Sequence, residues 1–121
     1  MKKLLLGIVF VTIALGGVVW WKNAQPAKPN PLDSFAQCLA GKGITMYGAD
    51  WCPHCQQEKK AFGSAFKYVP YVECPENPKQ CLDQGIQGYP TWIFPDGRKL
   101  VGEQGLETLA RESGCILPTE P

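Results

Sequence analysis

The chain has 121 residues, 45% of them hydrophobic and 19% charged, and 12 Lys+Arg against 11 Asp+Glu leave a net charge of +1. That length holds one domain plus a short extra segment, which excludes a multidomain enzyme. With no basic run beyond Lys2-Lys3, the electrostatic footprint of a nucleic-acid binder is missing, because such binding needs several phosphates neutralised. Glycine and proline, 13 and 11 in number, are too few for a low-complexity chain, so the six cysteines are the informative count.

Leu4 to Trp21 carries no charge. As a helix its length is roughly 27 Å against about 30 Å of bilayer hydrocarbon, just enough to span. A cleaved signal or a buried core helix are the competing readings. The run is longer than a signal core and closes on Trp20-Trp21, residues suited to the membrane interface, and Ala24-Gln25-Pro26 is a poor cleavage site. Residues 1–22 therefore read as a single-pass anchor. Lys2, Lys3 and the terminal amine precede the run, which places the N-terminus in the cytoplasm and the rest on the extracytoplasmic or lumenal side of the cell membrane. Beyond residue 22, 9 basic side chains face 11 acidic ones, so no basic patch holds this part on anionic lipid.

Residues 23–31 (NAQPAKPNP) contain three prolines and no apolar periodicity, the composition of a semi-rigid linker. A domain over residues 32–121 follows. Asp33 is placed to cap a helix through Leu39, stopped by Gly41 and Gly43, and Ile44 to Tyr47 is a brief β-prone run. A helix is expected from Cys52 or Pro53 to Phe66, with Pro53 suited to a first helical position and Phe62 and Phe66 forming an apolar stripe. Tyr68 to Glu73 reads as a strand and Lys79 to Gln84 as a short helix ended by Gly85. Thr91 to Phe94 and Lys99 to Val101 flank the turn Pro95-Asp96-Gly97-Arg98, and a last helix runs from Leu106 to Glu112. The expected order is α-β-α-β-α-β-β-α.

Trp51-Cys52-Pro53-His54-Cys55 falls at the junction of a strand and a helix. Unpaired N–H groups and the helix dipole favour the thiolate of a cysteine at a helix start, which is where Cys52 lies. Cys55, one turn on, shares its face, so the two sulfurs can reach disulfide distance. Cys52 is then the attacking thiol and Cys55 the resolving one. His54, the only histidine, would further stabilise the Cys52 thiolate against the disulfide, and a stabilised reduced form makes a pair more oxidising. The alternatives are an exposed His54 without a role, a structural disulfide, or a zinc site. Zinc needs four ligands, and no second C-x-x-C is present, so no metal is expected.

Gly88-Tyr89-Pro90-Thr91 precedes an apolar strand. A proline opening a strand here is a candidate cis peptide that leaves the Tyr89 backbone free to pair with an extended substrate chain, alongside Trp51 and Pro53. The other four cysteines, once Cys52 and Cys55 are paired, allow three arrangements. The preferred one joins Cys38 to Cys115 and Cys74 to Cys81 as structural disulfides; a shuttle role for Cys74 and Cys81 is the alternative.

WCPHC at a strand-helix junction, followed by GYPT before a hairpin, resembles the thioredoxin fold over about Ile44 to Gly114. The Pro-His dipeptide is similar to that of DsbA-type oxidases, but the chain has no room for their inserted helical domain. ITMYGADWCPHCQ, with FAQCL and ESGC, more closely resembles the thioredoxin-like domains fused to, or found beside, bacterial and plastid homologues of vitamin K epoxide reductase. The resemblance implies a mixed sheet flanked by helices and thiol-disulfide exchange without a bound cofactor. It further implies Cys52 as nucleophile, Cys55 as resolving cysteine and Pro90 as the cis-proline. Electrons would pass from cysteines of exported proteins to a quinone-linked membrane partner. Two other functions compete: an envelope reductase or isomerase of the cytochrome c maturation type, and a non-enzymatic metal-binding module. One departure stands out, since Met46 occupies the position, six residues before the first cysteine, where thioredoxins and DsbA-type proteins carry a buried acid. Water or Glu58 would then handle the proton.

Overall fold

A computed structural model describes residues 28–119. The anchor expected over residues 1–22, and most of the linker, lie outside the described residues. Among the described residues no helix is long and apolar enough to cross a membrane.

Five helical segments and four strands follow one another: α1 (Asp33–Gly41), β1 (Thr45–Gly48), α2 (Pro53–Phe62), a 3₁₀ segment (Gly63–Tyr68), β2 (Tyr71–Glu73), α3 (Pro78–Asp83), β3 (Thr91–Ile93), β4 (Lys99–Val101) and α4 (Leu106–Ser113). The sheet order is β2-β1-β3-β4. β1 and β2 are parallel, with Met46 opposite Tyr71 and Gly48 opposite Glu73. The β1–β3 and β3–β4 pairs are antiparallel. This is a thioredoxin-like α/β fold with a mixed sheet flanked by helices.

Alternation along the strands sorts side chains to two faces. Met46 and Trp92, opposite each other in β1 and β3, enter a cluster with Phe35 and Leu39 of α1, Phe62 of α2 and Leu109 of α4. Their neighbours Tyr47 and Ile93 face the other way, towards Cys74 and Cys81. The β3–β4 hairpin closes as expected: Gly97 takes φ +86°, which other residues rarely adopt, and Asp96 accepts the Arg98 N–H at 3.0 Å.

Three local expectations change. The helix expected to reach Phe66 stops at Phe62, because Gly63 adopts φ +56° and the chain tightens into the 3₁₀ segment; the Phe62 and Phe66 rings still meet at 6.0 Å. That segment runs through Tyr68, so β2 starts only at Tyr71. Asp33 lies inside α1 rather than capping it, and the N-cap is Leu32. Asn30 organises this turn: its Oδ1 accepts the Leu32 N–H at 2.9 Å, and its Nδ2 donates to Phe62 O and Ser64 Oγ, both at 3.1 Å. Hydrogen bonding to the domain therefore reaches into the segment read as linker.

Candidate active site

Cys52 is the N-cap of α2, with Pro53 as the first helical residue. Proline is tolerated there because its missing N–H would have no intrahelical partner. Both cysteines are free, and both are buried. Their environments differ. Cys52 keeps 6% of its surface, and its Sγ lies 3.7 Å from the Tyr89 carbonyl oxygen, whereas Cys55 is fully enclosed. Burial pushes the Cys55 thiol up to about 12, and the neighbouring Cys52 sulfur adds to the shift. One sulfur can meet a partner at the surface; the other is held as a thiol behind it.

The Tyr89–Pro90 peptide bond is cis, as expected from sequence. Pro90 is buried, and its carbonyl accepts the Gly102 N–H at 2.7 Å. Thr91 Oγ1 donates to Gly88 O at 2.7 Å, completing the turn that presents Tyr89. Trp51 is 69% exposed, and its ring meets Tyr89 edge-on at 5.9 Å between centroids. Pro53 is exposed beside it. The structure thus gathers Trp51, Cys52, Pro53, Cys55, Tyr89 and Pro90 at one end of the sheet.

His54 stands apart from this group. It is exposed, and its Nδ1 lies 3.2 Å from Glu103 Oε2 on the segment between β4 and α4. The partner that the structure gives it is a carboxylate rather than a sulfur.

Glu58, offered by the sequence as a proton carrier, is buried with both carboxylate oxygens occupied. Oε2 accepts the Gln104 N–H at 2.6 Å and the Trp92 Nε1–H at 3.4 Å, and Oε1 accepts the Gly105 N–H at 2.9 Å. Gly105 is the N-cap of α4. A carboxylate here pairs donors that the helix leaves unpaired and meets its positive end. Glu58 ties α2 to α4 and to the loop that carries Glu103.

Sequence reasoning missed a polar cluster built from α2, β2 and the loop before Cys52. Lys59 Nζ pairs with Asp50 Oδ1 at 2.9 Å and sits 3.8 Å from the centre of the Tyr71 ring. The Tyr71 hydroxyl donates to Glu73 Oε2, and Glu73 Oε1 accepts the Asp50 N–H at 3.0 Å. The Lys59 ammonium holds the Asp50 carboxyl below the usual carboxylate range. Burial and the Glu73 carboxylate drive the Tyr71 hydroxyl upward, so it remains a donor. The only sequence signal was Tyr71-Val72-Glu73, two polar residues at strand spacing; it becomes legible once Tyr71 is known to lie beside Met46.

Cys38–Cys115 and Cys74–Cys81 are bonded, with Cα–Cα distances of 5.9 and 5.7 Å. The first links α1 to the residue after the α4 C-cap Gly114; the second clips α3 to the end of β2.

The thioredoxin family model matches residues 33–112. This chain belongs to the thioredoxin family. It is 42% identical over 93 residues to the thiol-disulfide oxidoreductase LTO1 of Arabidopsis thaliana, covering 69% of this chain and 24% of that protein. It is 30% identical over 102 residues to the thioredoxin domain-containing protein 5 homolog of Drosophila melanogaster, covering 73% of this chain and 24% of that protein. The chain thus spans about a quarter of the length of these curated relatives. Within that family, this chain presents a free Cys52–Cys55 dithiol at the start of α2.

Proposed function

We propose that this protein is a membrane-anchored oxidase of protein thiols, acting on cysteines of exported proteins and passing electrons to a quinone-linked membrane partner such as a vitamin K epoxide reductase homologue. The observation that carries the reading is the asymmetry of the dithiol: Cys52 at a helix start beside the Tyr89 carbonyl, Cys55 sealed behind it with its thiol pushed up to about 12. A substrate thiolate attacks Cys52 Sγ, the Cys52–Cys55 disulfide opens, and Cys55 leaves as a thiol once protonated. A second substrate thiolate then attacks the substrate sulfur of the mixed disulfide, so a substrate disulfide forms and the Cys52–Cys55 pair is left reduced. Exposed Trp51, with Pro53 and Tyr89, supplies an apolar rim for an unfolded chain, and Pro90 holds the Tyr89 carbonyl towards it.

The Pro53-His54 dipeptide and the resemblance to domains linked to vitamin K epoxide reductase homologues support the oxidising direction. The apolar run from Leu4 to Trp21 supports the anchor and an extracytoplasmic domain. A second reading, an envelope reductase or isomerase, is favoured by one contact: Glu103 beside His54 opposes the positive charge that would favour the Cys52 thiolate. The reduction potential of the pair in the full chain, measured in glutathione buffers with mass mapping of alkylated cysteines, separates an oxidant from a reductant. A value above about −200 mV places the pair with isomerase- and DsbA-like oxidants and supports electron flow from substrate to the membrane partner, and one near −270 mV or lower supports the reductant.

A further inference from the structure

Thiol-disulfide exchange at a sealed cysteine needs a route for a proton. Cys55 cannot attack as a thiol and cannot leave readily as a bare thiolate in a site that disfavours its charge. On β1, Met46, in the same buried cluster as Cys55, is apolar and fully buried. Glu58 has both oxygens committed to Trp92, Gln104 and Gly105. Besides the Ala49 backbone and the Cys52 thiol that contact the sulfur, polar side chains of the next strand come close to it.

Gly48 shows how close they are. A β-carbon at Gly48 would lie 2.8 Å from Cys55 Sγ and 3.3 Å from the Tyr71 hydroxyl oxygen. The sulfur and the phenol therefore lie against the same patch of backbone, no further apart than those two distances laid end to end, within reach of each other across one water. The phenol in turn donates to Glu73, which is half-buried on an edge strand of the sheet.

We propose that Tyr71 and Glu73 form the proton relay of Cys55, a role that rests on the redox reading of the Cys52–Cys55 pair. When Cys55 Sγ attacks the Cys52 sulfur of a mixed disulfide, the Cys52–Cys55 bond forms and the bond from Cys52 to the partner sulfur breaks. The partner leaves with the electron pair as a thiolate, so the partner is reduced and the protein oxidised. The Cys55 proton passes through one water to the Tyr71 oxygen while the Tyr71 proton moves to Glu73 Oε2, which exchanges it with solvent. When a substrate thiolate opens the Cys52–Cys55 disulfide, the same path delivers a proton to the departing Cys55. The charged and titratable groups around the path are Cys52, Glu58 and Lys59 on or capping α2, Asp50 in the preceding loop, and Tyr71 and Glu73 on β2. The Lys59 ammonium over the Tyr71 ring favours electron density on the phenol oxygen as its proton leaves.

The test separates two steps in the full chain. Cys52 is loaded by an aromatic disulfide to give a mixed disulfide, and Cys55-dependent release of the coloured aromatic thiol is followed from pH 5 to 9. Tyr71→Phe keeps the ring that packs on Phe66 at 5.7 Å and removes only the hydroxyl. The loading rate on the same sample reports whether the site is intact. Release is expected to slow by about a hundredfold at pH 6 and to rise about tenfold per pH unit as hydroxide becomes the remaining base. Glu73→Gln, which keeps an acceptor for the phenol but cannot take its proton, is expected to do the same and decides the matter if Tyr71→Phe does not fold. Release within twofold of the wild type, with the wild-type pH profile, in a variant that loads normally overturns the relay. A wild-type chain that loads at no cysteine, or loads and never releases, overturns the redox reading of the pair instead.

Discussion

Glu58→Ala tests whether the buried carboxylate is a structural latch. Its removal leaves the Gln104 and Gly105 N–H groups, both part-buried, and the buried Trp92 Nε1–H without their acceptor. A donor stranded by loss of its partner costs about 1–3 kcal/mol, with the lower end apt where water can reach it. Three such donors, with the Trp92 contact long at 3.4 Å, bring the expected loss to about 3–4 kcal/mol once the small cavity is included. That is a large share of the roughly 5–15 kcal/mol that holds a domain together. Urea unfolding of the full chain, with the slope compared between variants, measures it, and a fall in Tm of about 12–32 °C is the thermal counterpart. Glu58→Gln keeps one acceptor oxygen but turns an amide donor towards N–H groups, and should lose a smaller part of the same stability. A loss below about 1 kcal/mol in Glu58→Ala refutes the latch. So does a Glu58→Gln chain of wild-type stability whose thiol exchange is slowed, since that would make Glu58 the proton carrier.

Cys55→Ser should accumulate mixed disulfides through Cys52 when the full chain meets reduced and oxidised protein substrates, read on non-reducing gels and by mass; absence of trapped adducts reverses the assigned roles. Replacing Cys38 and Cys115 together by alanine opens a loop of 77 residues, expected to cost about 4–5 kcal/mol by chain entropy, while Cys74 and Cys81, 7 apart, should cost about 2–3 kcal/mol; equal losses in urea unfolding contradict that ranking. In Cys52→Ser, Cys55 should alkylate far more slowly at pH 8 than an ordinary thiol, because burial pushes it from 9.0 to about 12. The sign for stability follows: the reduced fold keeps the full benefit of a neutral Cys55 below about pH 9 and loses it as pH rises towards 12, since the unfolded chain ionises first. Wild-type-like alkylation and a flat stability curve over that range contradict the buried assignment.

The fold was legible where chemistry and periodicity agree. Cys52-Pro53 read directly as an N-cap and first turn, Pro95-Asp96-Gly97-Arg98 as a hairpin turn, and the order of elements followed from the spacing of apolar runs. What failed was local competition between signals. Phe62 and Phe66 keep the helical interval and still touch, but Gly63 between them ends the helix, and the glycine outweighed the stripe. At the α1 start Asp33 looked like the cap, yet Asn30 supplies the turn, because its amide reaches Phe62 and Ser64 far along the chain. The cysteine pair and the cis Tyr89–Pro90 bond were readable from motifs. Glu103 beside His54, the three donors on Glu58, and the Tyr71–Glu73 pair were not, since each joins residues from separate elements and depends on strand register or loop course.

Gly48 is the position on which the arrangement around Cys55 turns. β1 packs its core side through Met46, opposite Trp92, and an ionised acid there would be costly to desolvate. Moving the polar groups one strand outward to β2 keeps that core apolar and lets Glu73 stay half-buried, in contact with solvent. For the sulfur to meet groups on β2 it must cross the backbone of β1 at a residue with no side chain. Gly48→Ala therefore has a defined consequence: the new methyl would lie 2.8 Å from Cys55 Sγ and 3.3 Å from the Tyr71 ring and hydroxyl, contacts that force the thiol and phenol apart. Overpacking of this kind costs about 1–3 kcal/mol, and the Cys55-dependent release step should slow with it. The readouts are urea unfolding and single-turnover release from a Cys52 mixed disulfide. A Gly48→Ala chain that retains both wild-type stability and wild-type release would show that sulfur, glycine and phenol do not meet as closely as the proton path requires.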